Sequence, residues 1–260
     1  MIELPDERRR RILEAIERDG KVFAADLATA YTTSEDTIRR DLRELDRAGL
    51  LRRVHGGAVR AAKAELPFRE RVSADPKRKA AIAATACQLV KANEVVLIDA
   101  GSTNLRIACA LPDGHATAIV TNSPEIAVAI GNLRRTEVVL LGGTMHPGSG
   151  WVGGARTLRQ IEDLRPDLCL LGVCSVDAQD GICASSAEEA ALKQSMARVS
   201  TRVAAAILRE RMVSRGAFRV VPLSAVDHLV VEADAPPEML RQIRALDEAP
   251  EILIASALEG

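Results

Sequence analysis

Residues 34–58 read SEDTIRRDLRELDRAGLLRRVHGGA and contain six arginines. Ser34 is a good helix N-cap, and two acids follow it in the first turn, where the helix dipole favours them. At about 100° per residue, the apolar and basic residues of the predicted helix separate to opposite sides. The apolar arc contains Ile38, Leu42 and Leu45, and the basic ridge contains Arg39 (at its edge), Arg40, Arg43 and Arg47.

Two shorter helical patterns precede this stretch and one extended segment follows it. The helices are predicted at about 6–19, ended by Gly20, and at about 24–30, with a short turn at 31–33. The extended segment, about 50–59, contains Arg53, His55 and the pair Gly56-Gly57. Three helices with a short final turn predict a helix-turn-helix whose last helix fits a major groove, and the extended segment predicts a wing along the phosphates.

Charges alone leave a second interpretation open. A helix of mixed charge is often only a solvated face, and Arg39 and Arg43 could form spaced ion pairs with Glu35 and Asp46. The chain's net charge of -1 does not exclude DNA binding, because binding depends on the local field. Between residues 37 and 53 there are six arginines and three acids, a local net charge of +3.

Composition limits the other classes of function. The 260 residues, 47% apolar, are enough for one large or two ordinary domains. The five cysteines form no CxxC pair and are interpreted as reduced and structural, so neither a metal nor a cofactor is expected. The first residues have no apolar signal core, and no stretch reaches the ~18 apolar residues of a membrane span. The sequence predicts a cytoplasmic protein without a membrane partner.

The pattern changes after residue 59. Residues 60–76 are charged, contain two prolines and lack an apolar period, which predicts a linker between a DNA-binding domain at 1–59 and a second domain at 77–260. In the second domain, short apolar runs alternate with helical ones, which predicts an α/β fold with a mostly parallel sheet covered by helices on both faces. The predicted strands are 94–99, 116–121, 136–141, 168–174, 203–208, 228–231 and 252–255, and the predicted helices are 77–91, 104–111, 124–133, 186–200 and 237–246.

Polar turns follow three of the predicted strands. The first, 99–104, reads DAGSTN and opens a helix, so that Gly101 permits a tight turn while Ser102, Thr103 and nearby amides cradle a phosphate. Segments 121–123 and 142–143 end the next two strands. Ligands bind beyond the carboxyl ends of such strands. Loop geometry alone is the alternative explanation for a single Gly-Ser-Thr turn, and three turns in succession favour a site.

These motifs resemble the DeoR family of bacterial transcription regulators over almost the whole chain. The N-terminal match consists of Leu27-Ala28, Ser34, the run 37–42, Leu45, the run 49–51 and the run 53–58. The C-terminal match consists of the runs 99–104, 120–123 and 141–144, Val152-Gly153, Glu189-Ala190 and Lys193. The resemblance implies a small winged helix-turn-helix followed by a mostly parallel sensor domain that is similar in fold to ribose-5-phosphate isomerase.

The resemblance also implies the partners and the site residues. It implies a repressor of carbohydrate-metabolism genes that binds double-stranded operator DNA as a homodimer or homotetramer and is released or modulated by a phosphorylated sugar or related metabolite. The implied DNA-binding residues are Ser34, Thr37, Arg39, Arg40, Arg43, Arg53 and His55, and the implied effector-binding residues are Asp99, Gly101, Ser102, Thr103, Asn104, Thr121, Asn122, Gly142, Gly143, Glu189 and Lys193. Arg40 is assigned to a base edge because arginine can fork onto guanine, whereas Arg39, Arg43 and Arg53 suit phosphates. For His55, a local backbone contact in a turn is the alternative.

The sequence departs from the family pattern at four places. The family commonly has a small polar cap at position 23 and glycine at 32, where this chain has Phe23 and Thr32. It usually has an acidic residue and glycine at 174–175, which here read Cys-Ser, and Asp-Ser-Ser-Lys at 209–212, which here read Arg-Glu-Arg-Met. Because cysteine and methionine replace groups that bind hydroxyls and phosphate, three explanations stay open. The ligand is different, with Arg209, Arg211 or Lys193 supplying charge; binding is weak or lost; or the alignment slips near Met212.

Two further alternatives concern chemistry. Cys174 could sense oxidants, although its apolar strand has no basic neighbour in sequence. A phosphosugar isomerase-like enzyme is the alternative from another class. Glu189 could act as its base, but the missing acid at 174 and lysine at 212 leave that base without partners.

Overall fold

The computed structural model describes residues 5–19, 21–48, 50–54, 56–60, 66–146, 148–212 and 216–256. The chain divides into two compact units, residues 1–65 and 66–260. The predicted domain limits of 59 and 77 stay a prediction, and residues 68–73 of the predicted linker form a helix within the second unit. That helix is short, and a single buried residue, Phe68, anchors it, which explains why the segment shows no apolar period.

The first unit contains three helices and a small antiparallel sheet. Its elements are α1 (Pro5–Asp19), β1 (Lys21–Phe23), α2 (Ala24–Ala30), α3 (Glu35–Arg47), β2 (Leu51–Val54) and β3 (Gly57–Arg60). The strand order is β1-β3-β2, so the wing is the β2–β3 hairpin. Ile38, Leu42 and Leu45 of α3 are buried against residues of α1 and α2, and the predicted apolar arc is confirmed.

The second unit is built on a seven-stranded sheet in which all neighbouring strands are parallel. Its helices are α4 (Phe68–Ser73), α5 (Pro76–Cys87), α6 (Ser102–Ala110), α7 (Pro124–Ala129), α8 (Ala155–Glu162), α9 (Ala187–Val199) and α10 (Pro237–Arg244). Its strands are β4 (Val95–Ile98), β5 (Ala118–Thr121), β6 (Glu137–Leu140), β7 (Thr144–His146), β8 (Trp151–Gly153), β9 (Leu168–Leu171), β10 (Ser175–Asp177), β11 (Gly181–Ala184), β12 (Arg202–Ile207), β13 (Phe218–Val221), β14 (His228–Glu232) and β15 (Glu251–Ala255).

Helices cover both faces of this sheet. Successive residues of a strand point to opposite faces, so neighbouring residues of β4 pack against different helices. Leu97 of β4 lies in a core with residues of α8, α9 and α10, whereas Val96 and Ile98 lie in a second core with α5, α6 and α7. The predicted fold class is confirmed. Three features differ from the sequence prediction: the β7–β8 hairpin, helix α8 and the small sheet β10-β11-β13.

The strand order β15-β14-β12-β9-β4-β5-β6 creates a switch point between β4 and β9. From β4 the chain adds strands on one side, and from β9 it adds them on the other. The loops that leave the carboxyl ends of these two strands therefore diverge and leave a crevice, which is where open α/β sheets bind ligands. Within the described residues, no helix is long and apolar enough to span a bilayer.

Candidate functional site

The start of α3 is shaped by Ser34 and Thr37. The Ser34 Oγ accepts a hydrogen bond from the Thr37 amide at 3.2 Å and lies 2.9 Å from the Thr37 Oγ1. This is the predicted N-cap, and it orders the two side chains at the first turn of the helix. Ser34 is exposed and Thr37 is half-buried, so both stay reachable by a partner.

The basic ridge of α3 faces solvent. The Arg40 side chain is 77% exposed, and its Nε lies 3.6 Å from a carboxylate oxygen of Glu44. Arg39 pairs with Glu35 at 2.7 Å, and the Arg43 Nε donates to the Arg39 carbonyl at 3.3 Å. Of the ion pairs in the alternative interpretation, the structure shows the one between Arg39 and Glu35, but exposed pairs one turn apart are worth only about 0.3–0.5 kcal/mol. They can be exchanged for DNA phosphates at little cost.

Behind the ridge, Asp41 anchors α3 to α1. Its carboxylate is buried and lies 2.6 Å from the Arg8 Nε and 3.2 Å from the Arg9 Nε. Arg9 also pairs with Glu44. Two of the acids that lower the charge of the recognition helix are therefore bound by α1. The pairing of Arg8 and Arg9 with Asp41 was not predicted from the sequence. Asp41 lies between Ile38 and Leu42, on the apolar side of the helix, and an acid at such a position indicates a buried carboxylate that needs a cation.

The wing is tied to the end of α3. The Arg53 amide donates to the Asp46 Oδ1 at 3.2 Å, and the Arg53 side chain is exposed. In the hairpin, Arg53 lies opposite Ala58 and Val54 opposite Gly57. His55, the other predicted wing contact, lies outside the described residues. The ridge and Arg53 together place cations on two successive elements of the first unit.

In the second unit, a buried ion pair fills the floor of the switch-point crevice. Lys193 of α9 donates to the Asp99 Oδ2, directly after β4, and to the Gly172 carbonyl, directly after β9, at 2.8 Å. The Glu189 Oε1 lies 3.4 Å from the same ammonium. Burial opposes the charge of Lys193, but the carboxylates of Asp99 and Glu189 outweigh burial and raise the pKa of its ammonium well above the ordinary value.

Most other predicted effector residues are also bonded internally. The amide of Asn104 donates to the carbonyls of Asp99 and Leu170 at 2.8 and 2.9 Å. The Asn122 Oδ1 accepts from the Ala100 amide at 2.9 Å, and the Thr121 Oγ1 accepts from the Ser123 amide. These residues hold the ends of β4, β5 and β9 in place. Their polar groups are used by the fold before any ligand arrives.

The first residues of α6 are different. In the part of the chain that the structure describes, the hydroxyls of Ser102 and Thr103 have no hydrogen-bond partner. Helix N-termini also present unpaired amides and a positive dipole end. The φ of Gly101 is 163°, an extended backbone that any residue adopts, so the turn from β4 into α6 does not require a left-handed conformation there. A Cβ there would make an ordinary van der Waals contact with Asn104 at 3.8 Å, so the fold tolerates a small side chain at this position.

Gly142 and Gly143 serve the fold rather than an open cradle. The Gly142 amide donates to the Gln160 Oε1 at 2.9 Å, and its carbonyl accepts from the Thr157 hydroxyl at 2.9 Å. Gly143 has no room for a Cβ, because Thr157 and the Gly153 carbonyl lie against it. The two glycines fasten the end of β6 to the start of α8.

Glu189 is surrounded by donors. The Cys174 Sγ donates to its Oε1 at 3.4 Å, and the Ser185 hydroxyl donates to its Oε2 at 2.8 Å. Burial opposes ionisation of Glu189, but Lys193 and these hydrogen bonds outweigh burial and hold the pKa of the carboxyl below its ordinary value. Glu189 is therefore an anion that accepts hydrogen bonds. Among the described residues, no group of three His, Cys, Asp or Glu side chains is placed to hold a metal ion.

The segment after β12 contains the other departures from the family pattern. Met212 is fully buried in the core, Arg209 pairs with Asp234 at 2.7 Å, and the Arg211 Nη1 donates to the Cys174 carbonyl at 3.2 Å. Arg211 thus supplies a cation to the backbone beside Cys174.

Two family models match the chain. One, described as the DeoR-like helix-turn-helix domain, matches residues 8–64, and the other, described as the DeoR C terminal sensor domain, matches residues 74–233. The chain belongs to the DeoR family. The matches cover both compact units, and they include α3 with its ridge as well as the switch-point crevice.

Curated relatives match this DeoR-family chain along almost its full length. The HTH-type transcriptional regulator GlpR of Haloferax volcanii is 30% identical over 245 residues, which are 93% of this chain and 95% of that protein. The glycerol-3-phosphate regulon repressor of Escherichia coli is 27% identical over 232 residues, 89% and 91% of the two chains. The chain is accordingly a DNA-binding transcriptional regulator with a small-molecule sensor domain, and not an isomerase-like enzyme.

Solved structures show more distant similarity. The probable sor operon regulator from Shigella flexneri is 12% identical and covers 62% of this chain and 87% of its own, with a TM-score of 0.43. Ribose 5 phosphate isomerase A from Neisseria gonorrhoeae is 17% identical and covers 53% of each chain, with a TM-score of 0.38.

Thr32, which stands where DeoR-family chains commonly have glycine, has a φ of +49°. This left-handed backbone costs a residue with a Cβ roughly 1–2 kcal/mol. We expect Thr32→Gly to raise the free energy of unfolding by about 1 kcal/mol, since glycine's larger unfolded-state entropy offsets part of the gain. Urea denaturation followed by far-UV circular dichroism measures this. Thr33→Gly is the control; a similar gain there would refute the strain at Thr32.

Proposed function

We propose that this DeoR-family regulator represses carbohydrate-metabolism genes by binding operator DNA, and that a phosphorylated sugar or related phosphorylated metabolite bound at the start of α6 alters that binding. The names of two relatives, a glycerol-3-phosphate regulon repressor and a putative aga operon repressor, support the repressor role and the class of effector. Binding as a homodimer or homotetramer is part of the proposal, because a symmetric operator needs two helix-turn-helix units.

One observation carries the effector proposal. Ser102 and Thr103 have hydroxyls without a partner among the described residues, at a helix N-terminus beside the switch-point crevice. A phosphate there would accept hydrogen bonds from these hydroxyls and from the unpaired amides of the first turn. Because Gly101 has no Cβ, an anion can approach the backbone closely there. Cys174 follows β9, the other strand of the switch point, and its thiol donates to Glu189. We assign these two residues to the unphosphorylated part of the ligand.

The nature of this second part follows from charge. Glu189 is an acceptor whose hydrogen bonds from Ser185 and Cys174 already occupy both oxygens. A thiol is a weak donor and acceptor, so the crevice offers few groups for several hydroxyls. We therefore favour a ligand that differs from a simple sugar phosphate, such as a modified or partly deoxygenated one.

The test is a thermal-shift screen with inorganic phosphate, glycerol 3-phosphate, ribose 5-phosphate and fructose 6-phosphate on the full chain. A ligand at one hundred times its Kd stabilises the protein by about 2.7 kcal/mol. We expect Ser102→Ala to weaken binding about tenfold or more, because a hydrogen bond to a charged group is worth about 1.5–3 kcal/mol.

Two further variants sharpen the screen. Gly101→Ala is expected to leave the unfolding midpoint of the free protein unchanged and to remove the shift, since its Cβ fits the fold but occupies the space of the anion. Ser224→Ala, an exposed serine far along the chain, is the control and should behave as wild type. If no phosphorylated compound shifts the wild-type midpoint, or if the shift survives both crevice variants, the effector proposal is wrong.

A further inference from the structure

The β7–β8 hairpin starts and ends at the effector edge of the sheet. It leaves that edge directly after Gly143, where Thr157 and Gly153 leave no room for a side chain. It returns through Val152, whose amide donates to the Asn122 carbonyl at 2.8 Å. Within the hairpin, the rings of His146 and Trp151 stack with centroids 3.7 Å apart. The base of the hairpin is therefore fixed to the ends of β5 and β6, and a ring stack joins its two strands.

The tip of the hairpin, residues 148–150, binds α4. The Gly148 carbonyl accepts from the Phe68 amide at 2.7 Å, and the Ser149 carbonyl accepts from the Arg71 Nη2 at 3.0 Å. Gly150 packs against the Phe68 ring so closely that a Cβ would lie 2.6 Å from it. Two hydrogen bonds and one buried aromatic contact thus join the hairpin tip to α4.

Other contacts hold α4 from the sheet side. The Arg106 Nη2 on α6 donates to the Val72 carbonyl at 3.4 Å. Lys79 on α5 is buried and donates to the carbonyls of Arg71 and Ala74, the latter at 2.7 Å. Burial lowers the pKa of Lys79, although Asp75 and Glu210 act in the opposite direction. Arg71 and Val72 of α4, and Ala74 directly after it, are therefore hydrogen-bonded to two neighbouring helices.

These contacts make α4 the meeting point of two routes from the candidate phosphate site. One route is α6, which begins at Ser102 and Thr103 and reaches α4 through Arg106. The other is the hairpin, which begins at the neighbouring strand ends. In the chain, α4 is also the first element after residues 61–65, which lead from the DNA-binding unit.

We infer that α4, held between the β7–β8 hairpin tip and α6, transmits effector occupancy to the DNA-binding unit. The inference rests on the proposed function, since it needs an anion at the start of α6. An anion bound there adds contacts to α6 and to the neighbouring ends of β5 and β6. Because the protein interior is tightly packed, such elements shift as rigid units and do not deform. The contact between Gly150 and Phe68 is then required for regulation, although neither residue is assigned to the effector or to DNA.

Hydrogen exchange on the full chain tests the first half of this inference. Inorganic phosphate is the probe. It replaces sodium chloride in the buffer, so that the ionic strength stays constant. In wild type we expect slower exchange at residues 102–105 and, in the same titration, at residues 66–74. Slower exchange at neither segment refutes the anion site at the start of α6 and with it this inference, whereas the thermal-shift screen of all four compounds decides the proposed function. Slower exchange at 102–105 alone refutes only the inference.

Two glycines of the same turn provide a matched pair for the second half. Gly148 and Gly150 have φ values of +80° and +79°, so alanine meets similar backbone strain at both. At Gly150 the new Cβ collides with Phe68, whereas at Gly148 it has nothing within 4 Å. Comparing Gly150→Ala with Gly148→Ala therefore separates the Phe68 contact from the effect of the strained turn.

The readout is the ratio of operator affinities with and without phosphate, measured on a duplex selected from random sequence. We expect phosphate to change wild-type affinity about fivefold or more, the lower end of ordinary coupling between sites. Gly148→Ala should keep the ratio, and Gly150→Ala should reduce it below about twofold while residues 102–105 remain protected. A merely structural role of Gly150 would not remove the phosphate dependence. A wild-type ratio of one, or an unchanged ratio in Gly150→Ala, overturns the inference.

Discussion

Lys193→Met is expected to lower the free energy of unfolding of the second unit by about 3–5 kcal/mol, because it leaves a buried carboxylate without its cation. The methionine has a similar length but cannot neutralise Asp99, whose carboxylate is only 2% exposed. It also removes the donor to the Gly172 carbonyl and the cation beside Glu189. Urea denaturation at pH 7 measures the loss, and the fluorescence of Trp151, the chain's single tryptophan, reports this unit.

The pH dependence of this loss has a definite sign. The pKa of Lys193 is raised on folding, so its stabilising effect is present below its ordinary pKa and is lost only as pH rises through the higher folded value. No loss from this group is expected between pH 7 and 10. The pKa of Glu189 is lowered, and its contribution is lost as pH falls below the ordinary value of 4.5. The difference between wild type and Lys193→Met should therefore narrow in acid.

Lys79→Met is the matched control. Lys79 is equally buried in the same unit but donates only to backbone carbonyls, so its removal leaves no unpaired charge. Unsatisfied carbonyls cost about 1–3 kcal/mol. If Lys193→Met destabilises the protein no more than this control does, the ion pair at the switch point is not the anchor of the crevice.

Arg40→Ala is expected to weaken binding to the selected operator about tenfold to a hundredfold, since one bidentate contact with guanine is worth about 1–3 kcal/mol. The variant should lose sequence discrimination at one base pair only. Substituting that base pair in the operator should therefore no longer change the affinity of the variant. Arg43→Ala, assigned to phosphate, should weaken all sequences equally and reduce the salt dependence by about one unit of slope. Fluorescence anisotropy on single-base-pair variants at two salt concentrations separates the two behaviours.

Arg10→Ala provides the control for Arg40. Arg10 is 70% exposed and pairs with Glu14 one turn away, which closely matches the environment of Arg40 and Glu44. It lies on α1 and not on the basic ridge. A comparable loss of affinity in Arg10→Ala, or a uniform loss across sequences in Arg40→Ala, would contradict the assignment of Arg40 to a base edge.

The first unit was predictable from sequence because its determinants are local. Ser34 caps α3 with residues three positions away, and the apolar arc at Ile38, Leu42 and Leu45 follows directly from helical spacing. The predicted second helix at 24–30 has the same bounds as α2. The pairing of Asp41 with Arg8 was not predictable in the same way, because it joins residues 33 positions apart.

The second unit shows where such prediction ends. All seven strands of the main sheet were anticipated from apolar runs, yet the hairpin β7–β8 and the small sheet lack such runs. The resemblance to the DeoR family implied that Asp99, Asn104 and Lys193 bind the effector. The structure shows that they bond to one another or to backbone, in one case across 94 positions. Residue type indicates what a side chain can bind, whereas the fold decides which partner reaches it first.

The attachment of Asp41 to α1 has a practical consequence for anyone isolating the DNA-binding unit. No residue of α1 is assigned to DNA, so a fragment starting near residue 20 retains every residue assigned to DNA. Such a fragment would lack both arginines that neutralise Asp41. The freed carboxylate would draw water into the packing beneath α3 and would add negative charge close to the duplex. The smallest fragment that binds the operator must therefore begin before Arg8.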